Sequence, residues 1–504
     1  MYIYDKIKDY LKQDIYPFHM PGHKRNPLFM PKDLLSLDMT EIPDMDVLAT
    51  PMGILLEQQQ RIADFYGAYK SYFLVNGSSA GIVAAICATC RKVAMPLCGT
   101  RGGASPTSNN LSFHEYNNFL AKKDSSIVIP RNAHISVYNG LVLSGATPYY
   151  VKPDILPNGL FGGVNPDNYK NVPYGATVLV VSPTYEGFVS DIKTIADYVH
   201  ANDGILIVDE AHGAHFPFHK SFPKNALSQG ADIVINSLHK TLPALSQCAV
   251  IHAQGNLVDY NRLSFYINVM QTSSPSYILM ATSDYMLKML WERPHLFEEY
   301  ITRLKKLRDS MPNSQAPLHL FNAKKGEYSI YAIDPSKLLF NTTMHNAESI
   351  SSIFASTYKI QMEMAKANFI LAMTSVADTD KGFNRLKKAV HTIASARVSK
   401  SQYNKFAKFL TNPNDFICKT YNNFTLPEVI FTPYEAQQYD TIQVPLKDSV
   451  GRICAELITE YPPGIVTLAP GELITQEFLT LFENDVNVNL NLNSERRFIS
   501  CLIQ

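Results

Sequence analysis

Hydrophobic and polar positions along the chain repeat with two different periods. Short apolar runs at 72–75, 126–130, 177–181, 205–208 and 233–235 read as strands buried on both faces. Between them the spacing turns helical: Ile54, Leu55, Ile62, Phe65 and Tyr66 mark an amphipathic helix, and 82–90 and 191–199 mark two more. Short apolar strands alternating with helices predict an α/β fold, a mostly parallel sheet with helices on both sides. A helix over 4–11 opens an N-terminal arm spanning 1–50, and the large domain then occupies 51–290. A long helix over 285–310 leads into a smaller α+β domain at 291–400. Its expected strands are 328–333 and 369–374, and its helices 347–356 and 381–393. A C-terminal domain, 401–504, is expected to hold a helix over 449–459 and the turn-rich stretches 461–465 and 469–472. Residues 96–126 lack either period and read as a surface insertion with one short helix near 115–122.

Composition narrows the class. With 504 residues, the chain exceeds a single core. Lysine plus arginine and aspartate plus glutamate balance at 45 each, so no basic surplus calls for nucleic acid or an acidic membrane. Seven cysteines are too few and too odd for a disulfide framework, which fits a reducing cytoplasm. Cys87 and Cys90 fall inside a helix and read as packed core thiols. The first residues carry Asp5 and Lys6 with no apolar leader, and no run approaches the 18 apolar residues of a membrane span. A cytoplasmic protein without a membrane partner is expected.

Chemistry gathers where the strands stop. The run 233–235 ends at Ser237-Leu238-His239-Lys240, and the run 205–208 at Asp209, followed by Glu210-Ala211-His212. A lysine amine can form a Schiff base with an aldehyde, and an acid at a strand end can face a pyridine nitrogen. Those two needs belong to one cofactor, pyridoxal 5'-phosphate. Alone, the lysine could simply begin a surface helix; the second strand-end acid changes the balance. The turn Asn76-Gly77-Ser78-Ser79-Ala80-Gly81 leads from a strand into a helix, the layout that offers free N–H groups to a phosphate. Glycine-serine turns also cap helices without any ligand. His134 and Thr184 follow two further strand ends. Ligands of such sheets sit at the carboxyl edge, so one pocket is expected to collect Ser78, His134, Thr184, Asp209 and Lys240. His19 and His23 are separated by Pro21 and Gly22, and Pro217 interrupts His212, His215 and His219; neither set has metal-ligand spacing. No metal is expected.

Seven motifs in order carry a family resemblance. They are HMPGHK at 19–24, NGSSAG at 76–81, RNAHISVYNG at 131–140, SPTYEG at 182–187, DEAHGAH at 209–215, NSLHKTLPALSQ at 236–247 and YPPGIVTLAPGE at 461–472. Together they resemble the bacterial ornithine/lysine/arginine decarboxylases, pyridoxal phosphate enzymes of the aspartate-aminotransferase fold, over nearly the whole chain. The size is similar to the shorter members without an N-terminal receiver-like domain. The resemblance implies Lys240 as the Schiff-base residue, Asp209 as the partner of the ring nitrogen and His134 stacked on the ring. It places Ser78, Ser79, Ser237 and His239 about the phosphate, with Ala80, Thr184, Ala211 and His212 completing the cofactor contacts. It also implies a homodimer or higher homo-oligomer, with 271–276 contributed to the neighbouring subunit's site, and a role in polyamine biosynthesis. Two departures stand out: the insertion at 96–126, and Met364-Ala365-Lys366 where members more often show an acid after the alanine.

The expected reaction is decarboxylation of a basic amino acid, arginine first, then lysine or ornithine. Another reaction on the same cofactor, of aminotransferase or aldolase type, is one alternative, and a non-catalytic regulatory relative another. A distal cation on the substrate needs an acidic partner once desolvated. Glu472, in the turn 469–472, is the expected partner; the competing role is a cap on the next helix.

Overall fold

The computed structural model describes residues 1–13, 20–21, 23–28, 32–42, 45–90, 126–343, 346–366, 368–395, 426–460, 464–484 and 498–503. The expected insertion falls outside them except for Ser126, and so do His19, Gly22 and 461–463.

Eight strands build the part of the fold that carries the site: β1 (Lys70–Leu74), β2 (Ser126–Pro130), β3 (Thr147–Val151), β4 (Thr177–Val181), β5 (Phe188–Val189), β6 (Ile205–Asp209), β7 (Ile233–Ser237) and β8 (Ala249–Ala253). All but β5 form one seven-stranded sheet in the order β1-β8-β7-β6-β4-β2-β3. Strands β7, β6, β4, β2 and β3 run parallel, while β8 is antiparallel to both β7 and β1. Period-two geometry sends alternate side chains to opposite faces. Val178, Val180, Leu206, Val208 and Val234 enter one core, with the helices Ile54–Tyr66 and Ile192–His200. Leu179, Ile207, Ile233 and Ile235 enter the other, under the helices Gly77–Thr89 and Ile135–Ser144. Both faces are covered, which is why these strands read as unbroken apolar runs.

The expected helix over 285–310 is two helices, Tyr277–Glu292 and His295–Asp309. Pro294 lies between them; it has no N–H to donate and its ring excludes the carbonyl four residues back. Beyond them a four-stranded antiparallel sheet combines Leu318–Leu320, Lys337–Thr342, Met364–Lys366 and Phe369–Met373. Helices Ala347–Tyr358 and Asp380–Ser395 accompany it. The expected strand 328–333 shrinks to Ala332–Ile333, paired with β5, because Tyr328 and Ser329 take positive φ values of 51° and 54°. No helix covers 449–459. Gly451 adopts φ +80°, outside the right-handed helix, and the chain continues as Ile458–Glu460 paired with Ile465–Leu468. Cys87 and Cys90 are buried free thiols, both raised in pKa by burial. No helix among the described residues is long and apolar enough to cross a membrane.

Candidate functional site

Strands β2, β4, β6 and β7 end at one edge of the sheet, and β1 shares their direction because two antiparallel steps separate it from β7. Asp209 is the last residue of β6, and Lys240 sits in the helical turn Leu238–Thr241 directly after β7. A cavity of about 310 Å³ opens at this edge, lined among others by Ser78, Ser79, His134, Thr184, Asp209, Ala211, His212, His239 and Lys240. Ala80 and Ser237 do not line it. Ala80 lies deeper in its helix. Ser237 is fully buried, and its hydroxyl donates to Ser78 Oγ at 2.7 Å, so it orients a pocket hydroxyl from behind.

Each wall has a local reason. The helix after β1 begins at Gly77, earlier than its apolar run indicates, because Gly77 turns the chain with φ +75°. Asn76 gives this helix no side-chain cap, so first-turn N–H groups face the pocket end unmatched by a cap. His134 is the N-cap of Ile135–Ser144, and its Nδ1 accepts from the Ser136 N–H at 3.2 Å. Asp209 Oδ1 accepts from the Ala211 N–H at 3.1 Å. His239 Nδ1 lies 3.0 Å from the Cys248 carbonyl and donates to it, so contact with a phosphate as donor requires a doubly protonated ring.

Burial shapes the charges. The Lys240 ammonium is disfavoured by desolvation, with Asp209 and Glu363 opposing, and its pKa falls. His134 is lowered by burial and kept from falling further by Asp209. His212 drops well below the usual imidazole range, through burial first and then Lys337 and Lys240.

Glu472 is not where the sequence reading put it. Its carboxylate is 1% exposed and held by Arg131 in a fork, Nη1 to Oε1 at 2.6 Å and Nη2 to Oε2 at 2.8 Å. Oε2 also accepts from the Ala469 N–H at 2.8 Å. Glu472 neither lines the cavity nor caps the helix Gln476–Asn484; its charge is already paired with Arg131 and buried away from the cavity, so it does not meet a substrate cation there. Besides Asp209, the acid on the cavity wall is Glu186, raised in pKa by burial. Gln271, expected to serve a neighbouring subunit, accepts from Val75 N–H within its own chain at 2.8 Å. Lys366, at the departure from the family pattern, pairs with Glu460. His215, from the loop histidines, pairs with Asp334 at 3.2 Å.

Two contributions come from outside the strand ends; Gly464 and Ile465 fall in the motif at 461–472, while Lys337 carried no sequence signal. Gly464 and Ile465 line the cavity from the far end of the chain, where Ile135 N–H donates to Gly464 O at 3.1 Å. Lys337, the first residue of a strand in the second sheet, places Nζ 2.9 Å from His212 Nδ1. Only tertiary contact marks it.

A mostly parallel sheet with a lysine and an aspartate at adjacent strand ends is the architecture of the fold-type-I pyridoxal phosphate enzymes. Comparison with known proteins names the family within that class. The Orn/Lys/Arg decarboxylase major domain matches residues 2–97 and 107–335, and the family's C-terminal domain matches 415–486. The chain belongs to this family, the decarboxylases of basic amino acids. It is 28% identical over 501 residues to an arginine decarboxylase of Bacillus subtilis (strain 168), covering 96% of this chain and 93% of that protein. An arginine decarboxylase of Halalkalibacterium halodurans is also 28% identical, over 97% of this chain and 94% of that one. Among solved structures, the constitutive lysine decarboxylase of E. coli superposes with a TM-score of 0.78 at 18% identity, covering 99% of this chain and 82% of that one.

Proposed function

We propose that this enzyme removes CO₂ from arginine, using pyridoxal phosphate held by Lys240 and Asp209. The observation that carries the reading is the meeting of these two residues in one cavity with an uncapped helix N-terminus. The set fits the cofactor: an amine for the aldehyde, a carboxylate for the ring nitrogen, N–H groups with the Ser78 and Ser79 hydroxyls for the phosphate, and an imidazole, His134, for the ring face. Ala211, Thr184, His212 and His239 complete the wall. Arginine is preferred over lysine and ornithine because the relatives named as arginine decarboxylases align over nearly their whole length.

In the overall reaction the Cα–carboxylate bond breaks, CO₂ departs, and the electron pair left on Cα takes a proton. Pyridoxal phosphate, when bound, supplies the electron sink for that pair. Asp209, ionised, favours a protonated ring nitrogen by charge. His134 orients from the ring face. Lys240, once free of the cofactor, is placed to deliver the proton to Cα as general acid, with His212 beside it. By the same resemblance the enzyme works in the cytoplasm as a homodimer or larger homo-oligomer, in polyamine biosynthesis.

Incubating the purified chain with arginine, lysine and ornithine separately, and measuring CO₂ and amine, tests the reading. Lys240→Ala is expected to abolish turnover and covalent cofactor attachment while the far-ultraviolet spectrum stays native. Turnover surviving that change would move the anchor elsewhere, and activity on none of the three amino acids would reject the substrate class.

A further inference from the structure

Lys240, His212 and Lys337 form a chain of three nitrogen bases, the first two on the cavity wall and the third buried behind it. Lys240 Nζ is 3.3 Å from His212 Nε2, and Lys337 Nζ is 2.9 Å from His212 Nδ1. Lys337 is 4% exposed and does not line the cavity; its hydrogen bond to a cavity residue is the one to His212.

A neutral imidazole has one N–H and one acceptor nitrogen. Two ammonium groups therefore cannot both donate to His212; if one lysine donates, the other must accept. The distances decide which. Charge-assisted N–H···N bonds are the shorter ones, and the contact to Lys337 is shorter by 0.4 Å (3.3 against 2.9). Charge balance permits this: burial lowers the pKa of both lysines, that of Lys337 to about 8, which still leaves it charged at pH 7. Asp334, held ionised by His215, by Lys337 and by the Ser336 hydroxyl, lies at the turn that opens the Lys337 strand, and Glu186 and Glu363 also face the Lys337 ammonium. Lys240 faces two carboxylates, Asp209 and Glu363, against the three that face Lys337. The remaining neighbours of His212 are His134, His215 and the edge of the Tyr185 ring, at 5.0 Å between centroids.

We infer that Lys337 is a positioning residue: its ammonium donates to His212 Nδ1, which fixes the His212 proton on Nε2 and makes that N–H donate to Lys240, holding the Lys240 amine in its neutral, nucleophilic form. The inference rests on Lys240 as the cofactor anchor. The consequence is kinetic. A lysine that is mostly ammonium at neutral pH attacks an aldehyde slowly, and each unit by which its pKa is raised removes about tenfold of the neutral amine. The Lys337–His212 pair keeps that fraction high in the cofactor-free chain; during turnover the released Lys240 must gain a proton before it acts as general acid. In the attack the Lys240 Nζ–carbon bond forms, the two amine protons pass to the aldehyde oxygen and that oxygen leaves as water. The Nε2–H···Nζ contact opens as the lone pair turns to the aldehyde, and Lys337 and His212 keep their protons.

The test uses the full-length chain freed of cofactor. With ¹⁵N-labelled histidine, and His212 resonances assigned by their loss in His212→Gln, the wild-type protein should show Nε2 protonated and Nδ1 bare. A proton on Nδ1 overturns the inference without any variant of Lys337. Covalent uptake of pyridoxal phosphate, trapped by borohydride across a pH series, should slow about tenfold at pH 7 in Lys337→Met, with the midpoint raised by about one unit. Lys337→Arg, which keeps a charged donor, should recover most of the rate. Uptake in Lys337→Met at the wild-type rate and midpoint overturns the inference, as does an arginine variant as slow as the methionine one. Covalent uptake persisting in Lys240→Ala overturns instead the assignment of the anchor, whatever the tautomer of His212.

Discussion

Glu472 and Arg131 show how one residue's meaning depends on its neighbours. Their side chains are 1% and 2% exposed, and Arg131 also lies over the Tyr150 ring at 4.6 Å. Removing one charge of a buried pair leaves the other uncompensated, at a cost of roughly 3–5 kcal/mol. Glu472→Gln should therefore lower the unfolding free energy by that order, seen as a lower urea midpoint, while leaving KM for arginine unchanged in the folded fraction. Glu186 is the cavity-wall carboxylate besides Asp209, so Glu186→Gln should instead raise KM about 10- to 150-fold, the worth of one charged hydrogen bond. Steady-state kinetics of both variants separates a structural carboxylate from one facing substrate. Lys337 adds a pH dependence. Burial lowers its pKa from 10.5 to about 8, so between those values the unfolded chain binds the proton and the native one does not. Stability contributed by this site then rises with pH across that window, by at most about 1.4 kcal/mol per unit. Relative to Lys337→Met, the wild-type chain without cofactor should gain stability from pH 8 to 10.5, measured by urea unfolding at each pH; a difference that stays flat or falls would contradict the shift.

At the scale of elements, turns do the placing. The Arg131–Glu472 pair depends on the turn before Glu472, where Gly471 has φ +90° and a Cβ built there would lie 2.0 Å from the Phe431 carbonyl oxygen. Neither the left-handed backbone nor contact with a backbone atom can relax by a rotamer change. Gly471→Ala should destabilise the chain by more than the roughly 1–2 kcal/mol of the φ penalty alone, read from chemical unfolding. The same logic separates what the periodicity located from what it missed. Helices 54–66 and 191–199 emerge almost residue for residue, as Ile54–Tyr66 and Ile192–His200, because an amphipathic stripe records burial directly. The helix starting at Gly77 was placed too late, since its polar first turn faces the cavity and has no stripe to show. The helix expected over 449–459 failed because one glycine conformation outweighs apolar spacing.

Across the whole molecule the cavity joins distant parts of the chain. Gly464 and Ile465 reach it from the C-terminal region, and Lys337 supports it from the second sheet. A ligand that binds only the native form stabilises it by about 2.7 kcal/mol at 100 times its Kd. Saturating pyridoxal phosphate should thus raise the melting temperature of the full chain, and slow hydrogen exchange in the strand Ile465–Leu468 as well as in β6 and β7. Slowing confined to β6 and β7 would show that the C-terminal strand does not close the site.

The sequence by itself determined five of the seven strands of the large sheet, their mostly parallel pairing and which residues stand at their ends, but not β3 or the antiparallel β8. Burial on two faces writes continuous apolar runs, and strand ends are where such sheets expose reactive groups. Lys240 and Asp209 were legible for that reason: each stands at the end of its own run. Lys337, the place of Gly464 on the cavity wall and the true partner of Glu472 were not, because their positions depend on contacts over long stretches of chain that no local pattern records. Arg131 sits within a motif that reads as part of the site, yet its guanidinium is turned away to Glu472, 341 residues later. Only packing of the C-terminal strands against the large sheet decides that, since a buried charge must find its partner wherever the fold brings one.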